Sequence, residues 1–112
     1  MKLVKLFALC VLVSLLCACD SKDSPADNPI KIGVYLPLTG PNAYGGQLEL
    51  EGILLAHRQL GDVFGRPVEL VVKDNKSDRA VAAEVVRKLI EEDKVTAIVG
   101  TYWSSLALAG GE

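Results

Sequence analysis

Apolar and polar positions divide the chain into three zones. From Leu6 to Ala18 thirteen residues carry no charge (LFALCVLVSLLCA), and Ser14 is the only break in their apolar character. Residues 21–29 (SKDSPADNP) reverse this, being polar with two prolines and no apolar period. From Ile30 onward, short apolar runs alternate with stretches of helical spacing. Residues 30–36 (IKIGVYL, stopped by Pro37), 68–73 (VELVVK) and 95–99 (VTAIV, stopped by Gly100) predict three strands buried on both faces. Between the first two, residues 47–60 place Leu50, Ile53, Leu54, His57 and Leu60 at helical spacing. Gly52 inside that helix implies close approach of its backbone to the sheet, and Gly61 ends it. Residues 79–92 form a second helix with Val81, Ala82, Val85, Val86, Leu89 and Ile90 as its stripe. Ser77 or Asp78 suits its N-cap, and Glu84–Lys88 and Arg87–Glu91 make opposite-charge pairs on its wet side.

Strand, helix, strand, helix, strand implies parallel strands with right-handed crossovers. The expected fold class is α/β, a doubly wound parallel sheet of spatial order 2-1-3. Ser104 and Ser105 open a third helix through LALAG, and the chain reads as stopping within it, a truncated lobe.

The N-terminal zone changes the charge and the compartment. Lys2 and Lys5 precede an apolar run too short to span a bilayer and of the right length for an export signal. Leu16-Cys17-Ala18-Cys19 resembles the bacterial lipobox, which implies cleavage after Ala18 and lipidation of Cys19; a plain thiol behind an ordinary cut is the alternative. The expected organisation is thus a signal peptide over 1–18, a lipidated Cys and flexible tether over 19–29, and an incomplete ligand-binding lobe over 30–112. Asp20 resembles a signal for inner-membrane retention, should the cell have two membranes. The whole chain has 12 Lys+Arg against 14 Asp+Glu. Removing the signal leaves 10 against 14, a net charge of −4, with one Cys and one His. That composition offers no disulfide, no zinc or thiol-redox site and no basic patch for nucleic acid.

In a doubly wound sheet, ligands sit beyond the carboxyl ends of the strands where the order switches, here between strands one and three. The loops expected there are residues 37–46 (PLTGPNAYGG) and 100–105 (GTYWSS). Hydroxyls such as Thr39, Ser104 and Ser105, with free amides at helix starts, suit a carboxylate. Tyr44, Tyr102 and Trp103 can wall such a ligand, although Ser104 as a mere helix cap and Trp103 as mere packing stand beside that reading. Gly40 and Gly45 have P-loop spacing, but Gly46-Gln47 stands where Lys-Ser/Thr should be, which excludes a phosphate cradle. His57 lies on a helix body rather than at a strand end. Glu49 and Glu51, two apart on a helix, point to different faces and cannot act as an acid/base pair.

Taken together, IKIGVYLPLTGPNAYGG, GRPVELVVKDNKSD and LIEEDKVTAIVGTYWSS resemble the N-terminal lobe of type I periplasmic binding proteins. Within them they are most similar to the leucine/isoleucine/valine-binding family, the receptors of branched-chain amino acid ABC transporters. The resemblance implies two α/β lobes closing on a small amino acid-like ligand, with an ABC permease as partner, no cofactor and no catalysis. Contact with the membrane is then through the lipid anchor only. It implies a Ser four residues after the Gly that ends strand three as a carboxylate ligand, a position matched by Ser104. It also implies an aromatic cover at the position matched by Gly45, with Tyr44 one residue early. Leucine-like amino acids, amides and urea-type compounds are all open as ligands. A ligand-sensing receptor subunit of the same fold and an exported α/β enzyme fragment remain the alternatives.

Overall fold

The computed structural model describes residues 28–111, so the expected signal peptide, Cys19 and most of the tether lie outside it. Strand β1 (Ile30–Leu36) is central, with β2 (Val68–Asp74) and β3 (Ala97–Val99) parallel on either side, giving the order β2-β1-β3. Register pairs Val34 with Val72 and with Val99. Helix α1 (Ala43–Leu60) connects β1 to β2, α2 (Arg79–Glu91) connects β2 to β3, and α3 (Ser104–Gly111) follows β3.

The core lies on one face of the sheet. Tyr35 from β1 packs there with Ala82, Val85, Val86 and Leu89 of α2 and Leu106 of α3, while Val71, Val95 and Ile98 close its edges. Because strand side chains alternate, Gly33 shares that face, and a Cβ on it would lie 3.0 Å from Leu89 Cδ1. Leu89 fills the space over the missing side chain.

On the other face, Val34 and Leu36 are fully buried, but the flanking Val72 and Val99 are 37% and 43% exposed. Burial of all three strands on both faces is therefore not observed. The reason is that α1 meets the sheet chiefly at β1 and leaves the outer strands half open. Gly52 corrects a second expectation. It lies on the solvent side of α1, where a Cβ would meet nothing within 4 Å, so no close helix–sheet approach requires it. Ile90, expected in the buried stripe of α2, is 55% exposed. It lines a groove between α2 and α3 together with Val86, Ala109 and Gly110.

The local caps follow the side chains. Asp78 caps α2 by accepting the Val81 N–H at 2.9 Å. Gly61 ends α1 at φ 65. His57 Nε2 lies 2.8 Å from the Val68 carbonyl and joins α1 to the start of β2, a packing role. Lys88–Glu84 (2.7 Å) and Arg87–Glu91 (3.1 Å) form as their spacing predicts. Strand β3 is shorter than residues 95–99. The Val95 N–H is taken by Leu89 O at the end of α2, while the Thr96 N–H already bonds Lys31 O.

Candidate functional site

Three parallel strands deliver three loops to the same edge of the sheet, and one polar segment ties these loops together. Asp74 ends β2. Its Oδ1 accepts N–H groups from Leu38 (2.9 Å), Thr39 (3.2 Å) and Lys76 (2.8 Å), and its Oδ2 accepts the Thr39 hydroxyl at 2.6 Å. Burial pushes the Asp74 carboxyl up, but the Thr39 hydroxyl and the amides of Lys76, Leu38 and Thr39 outweigh it and hold the group below its ordinary value. Asn75 is fully buried; its Nδ2 donates to Thr101 Oγ1 at 3.0 Å and its Oδ1 accepts the Ser77 N–H at 3.1 Å. Ser77 Oγ donates to Thr39 O at 2.7 Å and accepts the Asn42 N–H at 3.1 Å. Lys76 and Ser77 hold positive φ, a conformation that side-chain acceptors on Asp74 and Asn75 stabilise locally.

Asp74, Asn75 and Ser77 were not among the residues singled out from sequence as candidates for the site. The signal was present: a run of acid, amide and hydroxyl (DNKSD) directly after a strand, at the end where ligands bind. Such residues order a turn by bonding their own backbone, and here they reach the neighbouring turns as well.

The first loop is shorter than residues 37–46, because α1 already begins at Ala43. Gly46 makes this possible. It is buried against β1's exit, and a Cβ on it would stand 2.3 Å from Pro37 O. Gly45, one residue earlier, faces Tyr102. A Cβ there would fall 2.3 Å from the Tyr102 ring, so the space a side chain at 45 would use is held by an aromatic from the third loop. Tyr102 in turn leans on Trp103, with ring centroids 5.9 Å apart at 46°. Both are about half exposed, while Tyr44, in the first turn of α1, is 78% exposed.

The remaining candidates are placed as follows. Thr39 is exposed, but its N–H and hydroxyl proton are both given to Asp74, leaving its hydroxyl lone pairs. Ser104 and Ser105 form the first turn of α3, where Leu106 and Ala107 donate back to Trp103 O. The first amides of a helix have no partner within it, so those of Ser104 and Ser105 project from the helix end. Ser104 is exposed and borders a shallow hollow with Ala107 and Leu108. Glu49 turns inward on α1 with one oxygen buried and without a hydrogen-bond partner, which pushes its carboxyl up, whereas Glu51 is exposed. The two carboxylates thus lie on different faces. No group of three metal-ligating side chains occurs among the described residues.

The edge therefore carries two helix starts, exposed hydroxyls and a paired aromatic wall on a scaffold fixed by buried polar bonds. Such a set can hold a small anion by hydrogen bonding; it offers no nucleophile with an adjacent base.

Residues 29–112 match a sequence family described as periplasmic binding protein. The leucine-, isoleucine-, valine-, threonine-, and alanine-binding protein of Pseudomonas aeruginosa is 36% identical over 85 residues, which cover 73% of this chain and 22% of that protein. The branched-chain amino acid transporter substrate binding protein LivJ from Streptococcus pneumoniae, solved in complex with isoleucine, superposes with a TM-score of 0.72 at 37% identity. The match covers 74% of this chain and 25% of LivJ. A solute binding protein of an ABC transporter from R. palustris, solved with benzoate, gives a TM-score of 0.67 at 32% identity over 74% of this chain and 23% of its own. The chain spans about a quarter of the length of the relatives it matches.

Proposed function

The chain belongs to the periplasmic binding protein family, and on that premise we propose that it is part of the ligand-gripping lobe of an exported ABC-transporter substrate-binding protein. Its ligand is an amino acid or a related small carboxylic acid. The observation that carries this reading is the pair of helix starts, α1 and α3, set at the carboxyl ends of β1 and β3 with Tyr102 laid across Gly45 between them. The isoleucine and benzoate of the two solved relatives share a carboxylate, the group that free helix amides and a serine hydroxyl recognise.

In this reading the Ser104 and Ser105 amides and the Ser104 hydroxyl take the carboxylate, and Tyr102 and Tyr44 flank the apolar part. The Thr39 hydroxyl has committed its proton to Asp74 and is left as an acceptor, suited to a ligand ammonium. A second lobe then closes over the ligand, because a ligand touching both lobes favours the closed state. The protein hands the ligand to a permease and performs no chemistry. The domain reading accords with this: an export signal over 1–18, a lipid on Cys19, and a tether to the lobe that begins at Ile30.

The test is a ¹⁵N-resolved titration of the full-length, two-lobed protein with L-isoleucine, L-leucine and benzoate, because one lobe alone supplies only half of the contacts. The amides of Tyr44, Tyr102, Ser104 and Ser105 should shift together along one saturation curve. In the complete gene product, Ser104→Ala should weaken calorimetric affinity by about 1.5–3 kcal/mol, one charge-assisted hydrogen bond. Shifts confined to other residues, or an affinity unchanged by Ser104→Ala, would remove Ser104 from the site.

A further inference from the structure

The opposite edge of the sheet, where the strands begin, has a different chemistry. A polar concavity of about 280 Å³ lies there, lined by Asn28, Lys31, Arg66, Asp93, Lys94 and Thr96, with Pro29 at its rim. Three of these side chains are cationic. Asp93 is the one acid among them, and it is already engaged by Lys73 at 3.1 Å. Among the described residues, Lys31, Arg66 and Lys94 meet no carboxylate within 4.0 Å. Arg66 instead donates to neutral oxygens: Nε to Asn28 O at 2.7 Å, and one terminal nitrogen to Asn28 Oδ1 at 3.2 Å and Pro29 O at 3.4 Å. Arg66 is itself fixed by reciprocal backbone bonds with Val63, and the Ile30 N–H is held by Pro67 O. The cations are therefore gathered where the chain emerges from residues 21–29 into β1.

We propose, building on the reading of Cys19 as the lipidated residue, that this concavity is the face on which the domain rests against an anionic bilayer. The phosphate of a phospholipid headgroup sits between Lys31, Arg66 and Lys94. Three features carry this. The ten residues between Cys19 and Ile30 span about 33–36 Å when extended and join the domain at the start of β1, so an anchor at Cys19 attaches at this edge and not at the ligand edge. Unpaired cations within a Debye length of an anionic surface are attracted to it, although the mature chain as a whole is acidic. Arg66, with Nε and one terminal nitrogen given to Asn28 and Pro29, keeps its other terminal nitrogen for a phosphate oxygen, and the two lysines add point charges. The consequence is orientation: with the cationic edge down, the edge bearing Ser104 and Tyr102 faces away from the membrane, open to capture ligand.

The test uses the full chain matured in a bacterial cell and partitioned onto vesicles of phosphatidylcholine alone, or with about 30 mol % phosphatidylglycerol. Binding to phosphatidylcholine and the intact mass of the mature chain report the anchor; the ratio of the two partition constants reports the cationic edge. The ratio should exceed unity and shrink with added salt. Lys94→Gln should lower it about fivefold, and Lys31→Gln with Lys94→Gln about 25-fold, with phosphatidylcholine binding unchanged. Lys22→Gln, in the tether, should leave most of the ratio in place. A ratio near unity, a ratio indifferent to the double variant, or one abolished by Lys22→Gln overturns the proposal. An intact mass without acyl chains refutes the anchor reading alone, and the ratio still decides whether the edge binds anionic lipid.

Discussion

Asp74 is the residue whose removal most directly tests how the ligand edge is built. In Asp74→Ala four donors lose their acceptor at once: the amides of Leu38, Thr39 and Lys76 and the Thr39 hydroxyl. The four are unequal. Leu38 N–H is half-buried and leaves a donor partly cut off from water, worth about 1.5 kcal/mol at the low end for a charged acceptor. The other three are exposed and can turn to solvent, so each is worth about 0.5 kcal/mol. The sum is a loss of about 3 kcal/mol, measured by urea unfolding followed by far-ultraviolet circular dichroism. Asp74→Asn keeps an oxygen for the three amides and should cost about 1 kcal/mol. The pH dependence has a definite sign. The folded carboxyl titrates below its ordinary 3.8, so its contribution is complete above that value and is lost as pH falls through the folded one. Asp74→Asn should accordingly flatten the stability profile on the acid side of the ordinary value and leave the profile near neutrality parallel to the parent. Hydrogen exchange supplies a local readout, with faster exchange at Leu38, Thr39 and Lys76. A loss under about 1 kcal/mol in Asp74→Ala, with those amides still protected, refutes the claim that Asp74 organises the edge.

Two glycines of the same helix should respond in opposite directions to alanine. Gly46→Ala drives a Cβ against the Pro37 carbonyl on the backbone of β1's exit, and overpacking of about 1–3 kcal/mol should outweigh the gain in helix propensity; the urea midpoint falls and Trp103 fluorescence shifts as the mouth deforms. Gly52→Ala meets open space in the middle of α1 and should raise stability by about 0.5–1 kcal/mol in the same assay; a loss there would show that something covers this face of the helix.

What could be read from the residues alone was set by pattern length. Strand β1 and helix α2 were legible because IKIGVYL is bounded by Pro37 and because Ala82, Val85, Val86 and Leu89 repeat at helical spacing behind Asp78. The order β2-β1-β3 is the usual doubly wound arrangement of three parallel strands joined by helices, and the structure has it. The start of α1 was not legible. Gly45 and Gly46 resemble loop residues by propensity, and only contact with Tyr102 and Pro37 shows why glycine is needed inside a helix there. The role of Gly52 failed for the converse reason, since a helical glycine looks the same in sequence whether it abuts a sheet or faces solvent. Burial of β2 and β3 was overestimated because a run such as VELVVK reports apolar character, not whether a helix lies over both of its faces. For the candidate site, sequence indicated the edge and its exposed hydroxyls and aromatics. The bonds by which Asp74, Asn75 and Ser77 reach the other two loops span 26 to 38 residues, and no local pattern encodes them.

The fate of Asp74's charge bears on what the ligand edge can select. An acid with open lone pairs at this edge would repel a carboxylate; instead, its four acceptor bonds are filled by the first loop and its own turn. Asp74 stays ionised, but its acceptor capacity goes to holding Leu38 and Thr39 in place, and the groups left facing outward are amide ends, a serine hydroxyl and rings. At the strand-starting edge the balance is reversed, because Lys31, Arg66 and Lys94 meet neutral oxygens or solvent rather than acids among the described residues. A parallel sheet imposes this separation, since every strand begins at one edge and ends at the other. On the proposed reading, recognition of an amino acid or a small carboxylic acid can be tuned in the exit loops without altering the cationic edge, and attraction to an anionic surface can be tuned by lysines without placing a cation beside the ligand.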